Sequence, residues 1–191
     1  MKYSKENYIT PRSHPNNWKY HTSVWELRNN SRFIKGNVLD IGCNCGTKCY
    51  WFSLFEIEKL VGTDINRSSI EIAEKNFKSF PYDYEFIQMN AVDEKLDRKF
   101  DFISCFHVFE HIYPEDVDSF LSNVMSMLSD DGYFLMSLPY DRHLYDPCHV
   151  GFYNVTSLSL LMRKAGFKVL RCYKEDRYDP PNILTGLFAK A

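Results

Sequence analysis

Three short runs carry residues whose types and spacing could do chemistry. The first, Val38-Leu39-Asp40-Ile41-Gly42-Cys43-Asn44-Cys45-Gly46, places a carboxylate and two glycines at the end of an apolar stretch. A glycine turn between a strand and a helix lets backbone approach a ligand closely, and the helix start offers unpaired N–H groups to a negative group. A dinucleotide fingerprint, GxGxxG, would need glycine at 42, 44 and 47, but Asn44 and Thr47 stand at two of those positions. The turn therefore serves another ligand. The second run, Leu60 to Ile65, ends with Asp64, 24 positions after Asp40, about where a βαβ unit places a ribose-binding acid. Asp64 could also cap the helix that follows it.

The third run, His107-Val108-Phe109-Glu110-His111, has HxxEH spacing, and His143 and His149 come later. Histidine titrates near neutral pH, which suits it to take a proton from a hydroxyl or amine. His107, His143 and His149 are accordingly candidate bases, with Tyr140 and Asp141 beside them. Imidazole and carboxylate also ligate divalent ions, which makes His107, Glu110, His111 and His149 a candidate metal set. Cys43, Cys45 and Cys49 cluster too, but their CxC and xxxC spacing lacks the paired CxxC knuckles of a zinc ribbon. They read as small buried thiols beside a turn.

The elements that must position these residues follow from hydrophobic period. Short apolar runs predict strands at Asn37–Ile41, Lys59–Asp64, Tyr84–Met89, Phe100–Phe106, Tyr133–Leu138, Phe167–Tyr173 and Leu184–Ala189. Helical spacing predicts a helix with Val117, Phe120, Leu121, Val124 and Leu128 inward, closed by a turn at Ser129-Asp130-Asp131-Gly132. A second helix carries Leu158, Leu161, Met162 and Ala165, with Thr156 as its N-cap and Gly166 past its end. A third spans Ser68 to Phe77 with Ile70, Ala73 and Phe77 inward, and a fourth spans Trp18 to Phe33 with Trp25 buried. Strands alternating with helices imply an α/β fold with a mostly parallel sheet and helices on both faces. Ligands in such folds bind outside the carboxyl ends of the strands, where strand order reverses.

Asp40, Gly42, Asn44 and Gly46 resemble motif I of class I S-adenosylmethionine-dependent methyltransferases, with Asn44 in place of the middle glycine. Asn tolerates left-handed backbone, so the turn survives that change. The resemblance covers Asn37 to Ala191 and is nearest to the small-molecule type, as in ubiquinone synthesis. It implies a Rossmann-like seven-stranded sheet with an antiparallel last strand. It also implies S-adenosyl-L-methionine as cofactor, with the glycine loop (Asp40, Gly42, Cys43, Asn44, Gly46) around the amino-acid end. Asp64 would hold the ribose hydroxyls, Ile65 would pack on adenine, Asn90 and Ala91 would read the adenine edge, and Phe106 would line the site.

His107 to Ile112 resembles the family's segment after strand four, Leu128 to Gly132 its turn before strand five, and His149 to Tyr153 a stretch of many small-molecule members. Some O-methyltransferases hold a divalent ion with ExxEH plus a later His. Here the first position is His107, so a metal is the less favoured reading. No Asn/Asp-Pro-Pro-Tyr follows strand four, which disfavours DNA-base methylation.

The expected function is methylation of a small or medium-sized molecule at O or N. The alternatives are 2'-O or terminal methylation of RNA and an inactive cofactor-binding partner. Apolar residues make up 45% of 191 and charged ones 25%, within the globular range, so disordered and membrane classes are disfavoured. Met1 to Tyr8 has no apolar core for a signal peptide, so a cytoplasmic location without membrane attachment is expected, with the six cysteines reduced. A formal charge of -2 gives no nucleic-acid signature, although residues 1–36 hold seven Lys and Arg against Glu6 and Glu26. That segment, with Tyr8, Trp18, Tyr20 and Trp25, is expected to be a helical extension forming one pocket wall, and residues 37–191 the catalytic domain. Oligomeric state is not legible.

Overall fold

The computed structural model describes residues 21–140, 147–175 and 182–191. Seven strands form one sheet: β1 (Gly36–Ile41), β2 (Ile57–Asp64), β3 (Tyr84–Gln88), β4 (Phe100–Phe106), β5 (Leu128–Pro139), β6 (Phe167–Lys174) and β7 (Ile183–Lys190). The helices are α1 (His21–Asn29), α2 (Cys49–Phe52), α3 (Arg67–Phe77), α4 (Val117–Met127) and α5 (Val155–Lys164). The sheet order is β3-β2-β1-β4-β5-β7-β6. All neighbours are parallel except β7, which runs antiparallel to both β5 and β6. Strand order reverses between β1 and β4, which opens a crevice at their carboxyl ends.

Period-two alternation sends the side chains of each central strand into two cores. Leu39 and Ile41 of β1, with Ile103 and Cys105 of β4, pack under α4 and α5 against Phe120, Val124, Leu158 and Met162. Val38, Phe102 and Phe106 face the other way, with Ile70, Ala73 and Phe77 of α3 and Leu27 of α1. Truncating a large side chain fully buried in either core, such as Phe102, would cost about 3–5 kcal/mol. Among the described residues no helix is long and apolar enough to cross a membrane.

Several local expectations change. Trp25 is 47% exposed, because α1 turns Glu26 and Leu27 inward instead. Of its expected span, Trp18 to Tyr20 lie outside the described residues, and the helix ends at Asn29 before a separate 3-10 turn, Ser31–Phe33. Ser129 to Gly132 do not form a turn outside the sheet. They are taken into β5 as an irregularity, where pairing jumps from Phe100 with Leu128 to Phe102 with Tyr133. The cap of α5 is Asn154, not Thr156: its side chain accepts from the Ser157 N–H while the Ser157 hydroxyl pairs with the Asn154 N–H, a capping box. Gly166 does follow α5 with φ +88°.

Candidate functional site

The turn after β1 is built from backbone that few residues tolerate. Gly42 has φ +74° and a side-chain β-carbon there would lie 2.1 Å from Val108 Cγ2, so glycine is required on both counts. Asn44 adopts φ +51°, the left-handed conformation its place in the motif calls for, and its Oδ1 accepts from the Cys45 N–H at 2.7 Å. The N–H groups of Gly42 and Cys43 are both spent on the Thr63 carbonyl of β2, at 2.7 and 2.9 Å.

Asp64 ends β2 and ties this turn to the next. Its Oδ2 accepts from the Asn44 N–H at 2.9 Å and its Oδ1 from the Asn66 N–H at 2.8 Å. Each carboxylate oxygen has a second lone pair, so both remain able to accept from a ligand hydroxyl. Burial pushes the Asp64 carboxyl above the usual carboxylate range, against the pull of those two N–H bonds. The N-cap of α3 is Asn66, which accepts from the Ser68 N–H at 3.0 Å, so Asp64 is free of that duty.

One cleft, with a cavity volume of about 160 Å³ behind an open mouth, lies over these strand ends. Of the cofactor residues expected from sequence, Gly42, Asn44, Asp64, Ile65, Asn90 and Ala91 line it. Asp40, Cys43, Gly46 and Phe106 stand behind its wall. The reason is the strand period: Asp40 alternates onto the α3 face, is fully buried, and accepts from the Ser104 hydroxyl at 2.7 Å. Burial raises the Asp40 carboxyl, opposed by the Lys48 ammonium and Ser104. Lys48, itself buried, donates to the Phe106 carbonyl at 3.0 Å. Asn90 lines the cleft, but its amide is engaged locally: Nδ2 donates to Asp93 at 2.6 Å and Oδ1 accepts from the Val92 N–H at 3.2 Å.

The histidines gather on the other side. His107 leaves β4 with φ +56°, a conformation uncommon for a side chain of that size, and it lines the cleft. Glu110 and His111 follow in a 3-10 turn, Phe109–His111. The Glu110 carboxylate is buried, with Oε1 3.5 Å from His107 Nδ1. Burial pushes this carboxyl up, but His107 and His111 together outweigh it and hold the group below its ordinary range. His111 Nδ1 lies 3.0 Å from the Cys148 carbonyl oxygen, and the His111 and His149 rings sit 4.9 Å apart. All four residues of the HxxEH and His149 set are therefore in one neighbourhood, while His143 and Asp141 lie outside the described residues. The three clustered cysteines are free thiols; burial raises Cys43 and Cys49, which makes them poor nucleophiles and ligands.

Residues 26–171 match the model of the methyltransferase domain family. The chain belongs to this class I methyltransferase family. Sphingolipid C9-methyltransferase from Komagataella phaffii is 28% identical over 109 residues, 52% of this chain and 22% of that protein. The mRNA cap guanine-N(7) methyltransferase of Caenorhabditis briggsae is 27% identical over 152 residues, 71% of this chain and 40% of that protein. The chain thus covers well under half the length of these curated relatives. A crystal structure of an S-adenosylmethionine-dependent methyltransferase from Clostridium acetobutylicum superposes with a TM-score of 0.76 at 14% identity, covering 91% of each chain. At that identity the likeness is one of fold.

Within this methyltransferase domain, sequence reasoning missed several cleft residues. Met89, Val92 and Val108 supply apolar wall, and Phe120 and Cys148 reach it from α4 and from the loop before α5. Met89 and Val92 flank the Asn90-Ala91 step and were legible as its neighbours. Phe120 had only the mark of an inward helix residue. Trp25 is not part of the lining, and Tyr8, Trp18 and Tyr20 lie outside the described residues.

Proposed function

We propose that this methyltransferase domain binds S-adenosylmethionine across the tips of β1, β2 and β3 and transfers its methyl group to an oxygen or nitrogen of a small or medium-sized molecule held near β4. The observation that carries the reading is Asp64: a cleft-lining carboxylate pinned by two backbone N–H groups, with an accepting lone pair left on each oxygen, beside the Gly42–Asn44 turn. A ribose diol needs two adjacent acceptors and an adenine ring needs apolar walls, which Ile65, Met89 and Val92 offer. The donor set therefore fits the cofactor.

When bound, the cofactor supplies an electrophilic sulfonium methyl. The chain's task is then alignment, which can lower a barrier by ~7–11 kcal/mol. Asp64 and the turn fix one partner, and the wall from Val108 to Phe120 bounds the space for the other. His107 is the favoured base: it lines the cleft, its Nδ1 faces the Glu110 carboxylate, and that contact keeps the proton on Nδ1 and leaves Nε2 to accept one from a hydroxyl or protonated amine. His149 is the second candidate.

Methylation of RNA is the alternative, supported by the similarity to the cap methyltransferase and by the basic charge of residues 1–36. Incubation with methyl-labelled cofactor and separated small-molecule and RNA fractions of a cell extract tests both. Label entering the small-molecule fraction is the expected result. Label confined to RNA, with salt-sensitive RNA binding, would replace this reading with the alternative.

A further inference from the structure

Lys48 is a buried cation to which the methyl-transfer reading gives no task. It stands two positions past Gly46 at the start of α2, is 5% exposed, and does not line the cleft. Lysine is almost never buried unless paired, because taking its charge out of water is costly. The Phe106 carbonyl accepts from its Nζ at 3.0 Å, and the centroid of the Phe106 ring lies 5.3 Å from the same atom. The fully buried Asp40 carboxyl is within its electrostatic reach.

The sheet explains why a side chain serves that carbonyl. β1 pairs with β4 only as far as Ile41 with Cys105, and the next two N–H groups of the chain, those of Gly42 and Cys43, both turn to Thr63 of β2. β4 runs on for one residue more, so the Phe106 carbonyl lies past the end of the β1 ladder and takes the ammonium as a donor. The other end of the same peptide unit, the His107 N–H, donates to the Ser137 carbonyl of β5 at 2.8 Å. That peptide is therefore gripped from both sides. Immediately after it His107 bends to φ +56°, which brings the imidazole into the cleft lining with Nδ1 3.5 Å from Glu110 Oε1. Backbone in so sparsely populated a region persists only where its surroundings over-determine it.

We propose that Lys48 is a positioning residue for methyl transfer: by holding the Phe106 carbonyl it fixes the peptide from which His107 projects, and so aims the base at the acceptor. Asp40 acts at one remove, as the buried counter-charge of Lys48, although its own side chain faces away from the cleft. The grip on the peptide stands on geometry; its use rests on the reading of His107 as the base. A base displaced by even ~1 Å can lose about 100-fold in rate, so a contact behind the cleft wall reaches the chemistry without touching the reactants.

Lys48→Met removes the donor and nearly preserves the length of the side chain. Turnover of the acceptor found by labelling, S-adenosylhomocysteine affinity and a crystal structure of the variant together test the proposal. The expected result is a kcat at least about tenfold lower, cofactor-product affinity within about threefold of wild type, and a Phe106–His107 peptide rotated from its present orientation. Because Lys48 acts through His107, adding Lys48→Met to His107→Ala should slow turnover by less than about twofold further. A second full tenfold loss in that background, or a peptide that keeps its place without the ammonium, would overturn the proposal and leave Lys48 as a structural cation. If Lys48→Met strands the Asp40 charge and fails to fold, Lys48→Met combined with Asp40→Asn removes both buried charges and is judged by the same peptide and His107 comparisons. Wild-type protein that binds no S-adenosylhomocysteine would remove the methyl-transfer reading and with it the use of the grip. Normal cofactor binding and turnover in Lys48→Met would remove the role of Lys48 alone.

Discussion

Asp64 ends β2 at the cleft and Glu110 follows β4 beside it, and the surroundings of these two carboxylates differ in kind. Asp64 accepts a backbone N–H on each oxygen, at 2.8 and 2.9 Å, from turns that follow β1 and β2. Glu110 faces imidazoles, and its Oε2 has no partner. Backbone donors cannot titrate or swing away, so they fix a carboxylate in place for recognition. Imidazoles can gain, lose or share a proton or an ion, so a carboxylate among them is suited to chemistry. On the proposed function the cleft would divide accordingly into a recognition half at β1 to β3 and a reactive half after β4.

The sharpest way to break that division is Asp64→Ala. It removes both proposed ribose acceptors together with two anchors of the turn, and should weaken S-adenosylhomocysteine binding at least about 100-fold in a calorimetric titration. Because burial raises the Asp64 pKa, acidification protonates it above the usual carboxylate range. Cofactor binding should therefore be full at neutral pH and fall as pH drops through that raised value, and Asp64→Asn should lose this slope. If Asp64→Ala binds as wild type does, the recognition half has been misplaced. His107→Ala probes the other half: turnover of an acceptor found by the labelling experiment should fall about 100-fold while cofactor affinity changes less than about threefold. A parallel fall in affinity would merge the two halves.

The boundary between the halves is the contact of Gly42 with Val108. Gly42→Ala adds a β-carbon at φ +74° and 2.1 Å from Val108 Cγ2, and should destabilise the fold by about 2 kcal/mol or more in urea unfolding. Val108→Ala in the same chain relieves the overlap but not the backbone strain, so the pair should show a coupling of about 1 kcal/mol. Strict additivity would mean the two turns do not press on each other. The smallest effect is expected from Asn44→Gly, which keeps the left-handed backbone at φ +51° and loses only the Asn44 bond to the Cys45 N–H; stability should move by less than about 1 kcal/mol.

The sheet was legible because its central strands are buried on both faces and read as short apolar runs, so β4 matches its expected bounds residue for residue and β1, β2 and β7 extend theirs by one or two positions. Helix faces were legible where several apolar residues repeat, as in α3 and α4. They were not in α1, where Trp25 stood next to the inward stripe and a polar residue, Glu26, took the buried place. In the recognition half, spacing located Asp64 and the Gly42–Asn44 turn, but it could not say that strand period hides the Asp40 side chain from the cleft. In the reactive half, the HxxEH pattern located the residues. The left-handed bend at His107, the orphaned oxygen of Glu110 and the loop that carries His149 back to it all depend on contacts made far along the chain, which local sequence does not encode.

Whether the turn after β1 and the acid at the tip of β2 hold S-adenosylmethionine, as proposed, is tested most directly by calorimetric titration of the wild-type protein with S-adenosylhomocysteine. Saturable binding of one molecule per chain is the expected result, tight enough to measure below about 1 mM. Well-folded protein that gives neither heat of binding nor a thermal shift at about 1 mM ligand would contradict it.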